Sequence, residues 1–276
     1  MRAKETGAEG LPVTPAPPRY NVRSVTRFIR YRSAAGVSYG ILDGDAVREI
    51  HGGLFGSHAE TGAHHKLSDV KLLAPCQPGK IMGVGLNYRS HLGGRPQPSH
   101  PEMFYKPVTA LQDPDEPIAI PNGAADVHYE GELVVVIGKP VKNATPEQAR
   151  AAIFGVTCGN DVSERNWQHG AQKDLQWWRA KGSDTFAPLG PAIATGTDYG
   201  NLLLQTRLNG EVVQRQYTSD LIFDCPSIVS WVSGWVTLMP GDIIYTGTPG
   251  ATRKLSPGDV VEVEIEGIGV LRNPVV

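Results

Sequence analysis

The chain has 276 residues, 40% of them hydrophobic, and a formal net charge of -2. That is enough apolar material for one large core, or for a core with a small companion domain. The near-balanced charge excludes a general attraction to nucleic acid or anionic lipid, and no apolar run approaches the length of a membrane span.

Residues 1–24 are rich in proline, glycine and polar side chains and lack the apolar stretch of a secretory signal. They are expected to form a flexible arm. From Thr26 to about Ile50 the alternation and the Asp43-Gly44 turn predict a β-meander. Residues 51–68 are expected to be loop or short helix, with His51, His58, His64 and His65 as solvated loop histidines without zinc spacing. The stretch Leu72-Leu73-Ala74-Pro75 followed by Gln77-Pro78-Gly79 reads as a boundary. It divides a small N-terminal β-rich module, 25–75, from a larger domain, 76–276.

In the larger domain, Thr145-Pro146-Glu147-Gln148 predicts a helix start, with Thr145 as N-cap, Pro146 at the first helical position and Gln148 completing a capping box. Asp224–Trp235 predicts a second helix, with Ile228, Trp231, Val232 and Trp235 packed into the core. Turns at Pro240-Gly241-Asp242 and Pro257-Gly258-Asp259 bracket strands. Val261, Val263 and Ile265 alternate there with Glu262, Glu264 and Glu266, which read as a solvated face. Cys76, Cys158 and Cys225 are odd in number and without CxxC spacing, so reduced thiols in a cytoplasmic setting are expected.

The chemistry centres on Glu130 and Glu132, which open the apolar run His128–Gly138. Side chains two apart on a strand share a face, so both carboxylates aim into one small volume. A solvent-facing strand start is the bland explanation. The alternative is a buried pair, which needs a cation or protons. Asp161 ends a second strand-like stretch, 153–161, and joins them if the two strands are neighbours. The helix opened by Thr145 would be the crossover between those strands. Three carboxylates form an all-oxygen donor set that selects Mg²⁺ or Mn²⁺, with Ca²⁺ also compatible, and leaves positions for substrate.

Six segments in order, VGLNYRSH (84–91), HYEGELVVVIG (128–138), GNDVSERNWQ (159–168), AKGSDTFAPLGPAI (180–193), GDIIYTGTP (241–249) and GDVVEVEIEGIGVLRNPV (258–275), resemble the fumarylacetoacetate hydrolase superfamily. The likeness is to its acylpyruvase and 2-hydroxyhepta-2,4-diene-1,7-dioate isomerase branch. It implies a mostly β fold with a few helices, a mixed β-sandwich roll core behind the N-terminal module. It implies Glu130, Glu132 and Asp161 as metal ligands and His91 and Lys181 as catalytic groups. Asn87, Tyr88, Arg89, Lys106, Gln168, Thr185 and Thr248 are implied around the substrate, with Thr248 on its carboxylate. A homodimer acting on a small keto acid is implied as well. The chain departs from the pattern at Gly94, where many members carry a glutamate that orients the histidine; Glu102 or His100 is the candidate replacement.

Three functions are compatible with this reading. The first is a metal-dependent hydrolase of C–C bonds in β-diketo acids such as acylpyruvates or fumarylacetoacetate. The second is an isomerase, tautomerase or decarboxylase of a 2-oxo acid such as oxaloacetate, which the missing glutamate favours. The third is a non-catalytic metal-binding homologue, against which the set of Glu130, Glu132, Asp161, Lys181 and Thr185 argues.

Overall fold

A strand of seven buried residues, such as Gly131–Ile137, can stay buried only if both of its faces are covered, and that requirement organises this molecule. The computed structural model describes residues 25–276; the arm expected over 1–24 lies outside the described residues. In chain order the strands of the first half are β1 (Thr26–Ser33), β2 (Gly36–Asp43), β3 (Ala46–Gly52), β4 (His58–Lys66) and β5 (Lys71–Leu73). They are followed by β6 (Ile81–Gly85), β7 (Glu102–Lys106), β8 (Leu111–Gln112), β9 (Val127–His128) and β10 (Gly131–Ile137). The second half runs α1 (Pro146–Ala152), β11 (Ile153–Asn160), β12 (Ser163–Glu164), α2 (Arg165–Gln168), α3 (Trp178–Gly182), β13 (Ala187–Thr195), β14 (Leu203–Leu208) and β15 (Glu211–Tyr217). It closes with α4 (Cys225–Trp235), β16 (Ile243–Tyr245), β17 (Val260–Ile265) and β18 (Gly269–Pro274).

Ten strands form one mixed sheet in the order β4-β3-β2-β1-β13-β11-β10-β16-β6-β7, with β5 joined to β1 and β8 to β13. A second, four-stranded antiparallel sheet, β15-β14-β17-β18, packs over it. Strand β10 lies inside the sheet between β11 and β16. Leu133, Val135 and Ile137 face β17 and α4 in one cluster, and Val134 and Val136 face Ile193, Ile243 and Tyr245 in another. Each such side chain contributes about 1.5–3 kcal/mol of burial free energy. The mostly β architecture with few helices therefore follows the resemblance.

The capping box is present: the Thr145 side chain accepts from the Gln148 amide and the Gln148 side chain accepts from Thr145 N–H. Asp224 caps α4 through Ser227 N–H. Three expectations change. Residues 58–66 are a strand rather than loop or short helix, an almost fully exposed edge beside β3 that carries no apolar alternation to announce it. Trp231 and Trp235 are not core residues, being 38% and 73% exposed, because α4 buries Ile228, Val229 and Val232 and turns the indoles outward. Helix α1 is not a crossover either, since β10 and β11 are antiparallel.

Among the described residues no helix is long and apolar enough to cross a membrane.

Candidate active site

The three acids meet because of one ladder. In the β10–β11 register Glu132 faces Gly159 and Gly131 faces Asn160, and the ladder continues with Asp161 N–H donating to the Glu130 carbonyl at 2.8 Å. Glycine is required opposite Glu132: a Cβ at Gly159 would lie 2.4 Å from both Tyr245 and Val134. One carboxylate oxygen from each of Glu130, Glu132 and Asp161 lies within 4.8 Å of the others, and all three residues are buried.

Cations surround them unevenly. Lys181 Nζ donates to Glu130 Oε2 at 2.6 Å and also to Asp161 Oδ2, Arg165 Nη2 donates to Glu130 Oε1 at 2.6 Å, and Lys106 Nζ pairs with Asp161 Oδ1. Glu132 receives only the Gly247 N–H, at 2.6 Å. The electrostatics follow. Burial opposes ionisation of Glu130, but the Lys181 ammonium and Arg165 guanidinium hold its carboxyl well below the usual range. Burial, followed by the Asp161 and Glu130 charges, pushes Glu132 well above it. Burial lowers Lys106 despite its pairing with Asp161, whereas for Lys181 the Asp161 and Glu130 charges outweigh burial and raise it. A buried carboxylate with no cation of its own, in an all-oxygen cluster, is a donor set that fits a hard divalent ion. Glu130, Glu132 and Asp161 would hold it.

Glu130 and Glu132 line a cavity of about 400 Å³ together with Lys181, Gln168, Thr248 and His91, while Asp161 lies behind them and does not line it. Val84, Leu86 and Trp177 supply its apolar wall. The His91 Nδ1 contacts the Gly250 carbonyl, which can only accept, so Nδ1 carries a proton and the neutral form of the ring keeps its lone pair on Nε2. Gln168 Oε1 accepts from Arg165 Nη1 at 2.7 Å. Thr248 Oγ1 donates to the Gly131 carbonyl at 2.9 Å and accepts from Gln214 Nε2, fixing the strand backbone between the two glutamates.

Other expected contacts lie elsewhere. The Asn87 amide donates to the Thr246 and Phe223 carbonyls and accepts from Phe223 N–H, so it shapes the peptide that presents Gly247 N–H to Glu132. Tyr88 is wholly buried in the core, and Arg89 Nη1 donates to the Asp220 and Leu221 carbonyls. Lys106 reaches Asp161 from behind, and Thr185 Oγ1 accepts from Ala119 N–H; none of these five lines the cavity. His100 and Glu102 do not replace the absent glutamate: they sit 3.8 Å from each other outside the cavity, with His100 stacked on Trp231.

Arg95, Arg165, His128, His169 and Thr252 line the cavity without having been singled out in the sequence. Arg165 follows Asp161 by four positions on the turn into α2, a spacing that could have drawn attention to it. Gln214 arrives from β15 in the second sheet, and no local signal marks it.

A family model described as fumarylacetoacetate (FAA) hydrolase C-terminal matches residues 80–276, and one described as Rv2993c-like, N-terminal, matches residues 26–75. Protein Rv2993c of Mycobacterium tuberculosis is 46% identical over 263 residues, covering 91% of this chain and 98% of that protein. The bovine protein named oxaloacetate tautomerase FAHD2A, mitochondrial, is 43% identical over 222 residues, covering 76% of this chain and 70% of its own. A structure described as 2-hydroxyhepta-2,4-diene-1,7-dioate isomerase from Mycobacterium marinum superposes with a TM-score of 0.85 at 44% identity, covering 91% of this chain and 98% of that one. With the family model spanning most of its length and the three-acid cluster in the matched region, the chain belongs to the fumarylacetoacetate hydrolase family.

Proposed function

We propose that the protein is a divalent-metal-dependent tautomerase or isomerase of a 2-oxo acid, with oxaloacetate as the type substrate. The observation that carries this reading is His91, which lines the acidic cavity with an accepting Nε2 and has a backbone carbonyl, not a carboxylate, behind it. A carbonyl fixes the tautomer but stabilises an imidazolium far less than an anion does. Such a base suits the transfer of a carbon-bound proton over a short distance; holding a water for attack on a second carbonyl asks more of it.

When bound at Glu130, Glu132 and Asp161, a Mg²⁺ or Mn²⁺ ion supplies a fixed positive charge beside the 2-oxo group, which acidifies the neighbouring carbon. Nε2 of His91 takes the proton from that carbon and delivers it to the 2-oxo oxygen, and both transfers run backwards when the enol returns to the keto form. Lys181 favours the ionised form of Glu130 and, by donating to both, holds Glu130 and Asp161 in place. The Gln168 side-chain N–H is available to the acid's oxygens, since only its Oε1 is used by Arg165, and Trp177, Val84 and Leu86 exclude water from the reacting carbon. The names of the bovine relative and the mycobacterial structure, a tautomerase and an isomerase, support proton transfer as the reaction class.

C–C hydrolysis by the same site is the second reading, favoured by the free lone pair of His91, which can also accept a proton from water. The two separate in one experiment. Protein with Mg²⁺ is mixed with the enol form of oxaloacetate and, separately, with an acylpyruvate, and proton NMR follows the products. Accelerated enol–keto exchange with an intact acylpyruvate is expected. Cleavage of the acylpyruvate without catalysed exchange would replace the proposal with the hydrolase.

A further inference from the structure

The loop that lacks the family's glutamate carries a different charge. After the 3-10 turn Arg89–His91, Gly93 and Gly94 adopt φ of +56° and +84°, and Arg95 N–H closes the reversal on the Leu92 carbonyl at 3.0 Å. Left-handed backbone at two consecutive positions favours glycine, and a glutamate at Gly94 would be strained there. The reversal sets Arg95 on the wall of the cavity that holds Glu130, Glu132 and His91.

The cations around this cavity differ in what they already hold. Lys106 and Lys181 are consumed by the acids, and Arg165 is shared among Glu130, Gln168 and Thr252. Arg95 has no ion pair or side-chain hydrogen bond among the described residues. Its charge nevertheless reaches into the site: His169, on the same wall, is lowered by burial and then by the Arg165 and Arg95 guanidiniums. An uncommitted guanidinium at the mouth of a cavity is a receptor for a planar anion, which it can hold through two parallel hydrogen bonds.

We propose that Arg95 is a specificity-determining residue that binds the distal carboxylate of the substrate, so that the site selects dicarboxylic over monocarboxylic 2-oxo acids. This rests on the reading of the cavity as a 2-oxo acid site. The near end of such an acid lies against Glu130 and Glu132, and its far end reaches the Gly93-Gly94-Arg95 turn. The lid glutamate has been exchanged for a lid arginine, which binds rather than activates.

The test uses two unreactive ligands with the same 2-hydroxy acid head: malate, which carries a distal carboxylate, and lactate, which does not. Calorimetry on the Mg²⁺-loaded protein gives both dissociation constants. Malate is expected to bind the wild type about 10- to 100-fold more tightly than lactate, the range for one hydrogen-bonded charge. In Arg95→Gln that ratio falls toward one, in Arg95→Lys part of it returns, and in Arg95→Glu lactate becomes the better ligand. Equal binding of the two by the wild type, or a ratio that survives in Arg95→Gln, overturns the assignment to Arg95 while leaving the 2-oxo acid site standing. If neither acid binds the wild type, the reading of the cavity fails and takes the proposal with it.

Discussion

Replacing Glu132 by Gln should make the metal-free protein more stable and the metal-treated protein less responsive. At an effective dielectric constant of about 20, two unit charges 4.8 Å apart repel by about 3.5 kcal/mol. Glu132 faces two such neighbours, Glu130 and Asp161, with Lys181 offsetting part of the repulsion. A carboxamide keeps the volume and can still accept the Gly247 N–H, so the substitution removes charge alone. The net gain without metal should be smaller than one such contact. Mg²⁺ at a hundred times its dissociation constant should stabilise the wild type by about 2.7 kcal/mol. At about 2–4 °C per kcal/mol for a chain of this size, that is a rise of about 5–10 °C in melting temperature. The variant should show little of it.

The pH dependence has a definite sign. The Glu132 carboxyl titrates higher in the folded than in the unfolded chain, so its contribution is fully present below the ordinary carboxyl range. That contribution is lost as pH rises through the folded value. In excess chelator the wild type should carry this loss and Glu132→Gln should not. Thermal melts of both proteins, with Mg²⁺ and with chelator, at acid and neutral pH, contain the whole test. An undiminished Mg²⁺ shift in the variant would remove Glu132 from the ligand set. A metal-free variant that melts below the wild type at neutral pH would refute the charge-crowding argument.

His91→Ala should lower kcat for enol–keto exchange by about 10²–10⁴-fold, the range for a general base; an unchanged rate would transfer the role to another group. The Cys76 and Cys225 thiols are pushed up to about 12 by burial and Cys158 higher still, so none should react with a disulfide reagent at pH 8 in the native protein. All three should react after denaturation, and rapid labelling of any one beforehand would contradict the burial. A homodimer, implied by the resemblance, should give a light-scattering mass twice 29.7 kDa, and a monomer mass would exclude it.

The site was legible where local spacing dictates geometry. Glu130 and Glu132 share a face because a strand has period two, and Thr145 and Gln148 form their box because a helix start needs it. It was not legible where contacts join distant segments. Asn87 belongs to a recognisable block, yet its amide is spent on Phe223 and Thr246, more than a hundred residues away. Arg95 carries no local signal, since the departure at Gly94 is noticed as a missing glutamate and not as the glycine reversal that places the next residue. Strand β4 escaped notice because an exposed edge needs no apolar pattern. Trp231 and Trp235 were misplaced because the buried stripe of α4 runs through Ile228, Val229 and Val232 and is narrower than the apolar face, which leaves the indoles outside it.

The pairing of β1 with β13 carries a consequence for any shortened version of the chain. Thr26, Arg27 and Phe28 are hydrogen-bonded opposite Thr195, Ala194 and Ile193, so the two segments matched by separate family models share one continuous ladder. Trimming to residues 80–276 would leave that end of β13 as a raw strand edge, with the apolar side chains of Ile193 and Ala192 newly wetted and no charged residue among Ala187–Thr195 to guard it. Unprotected edges of this kind recruit other strands, and the trimmed protein should self-associate into β-rich aggregates. The N-terminal strands thus act as a permanent seal, keeping a sheet that must be apolar on both faces from pairing with its neighbours in solution.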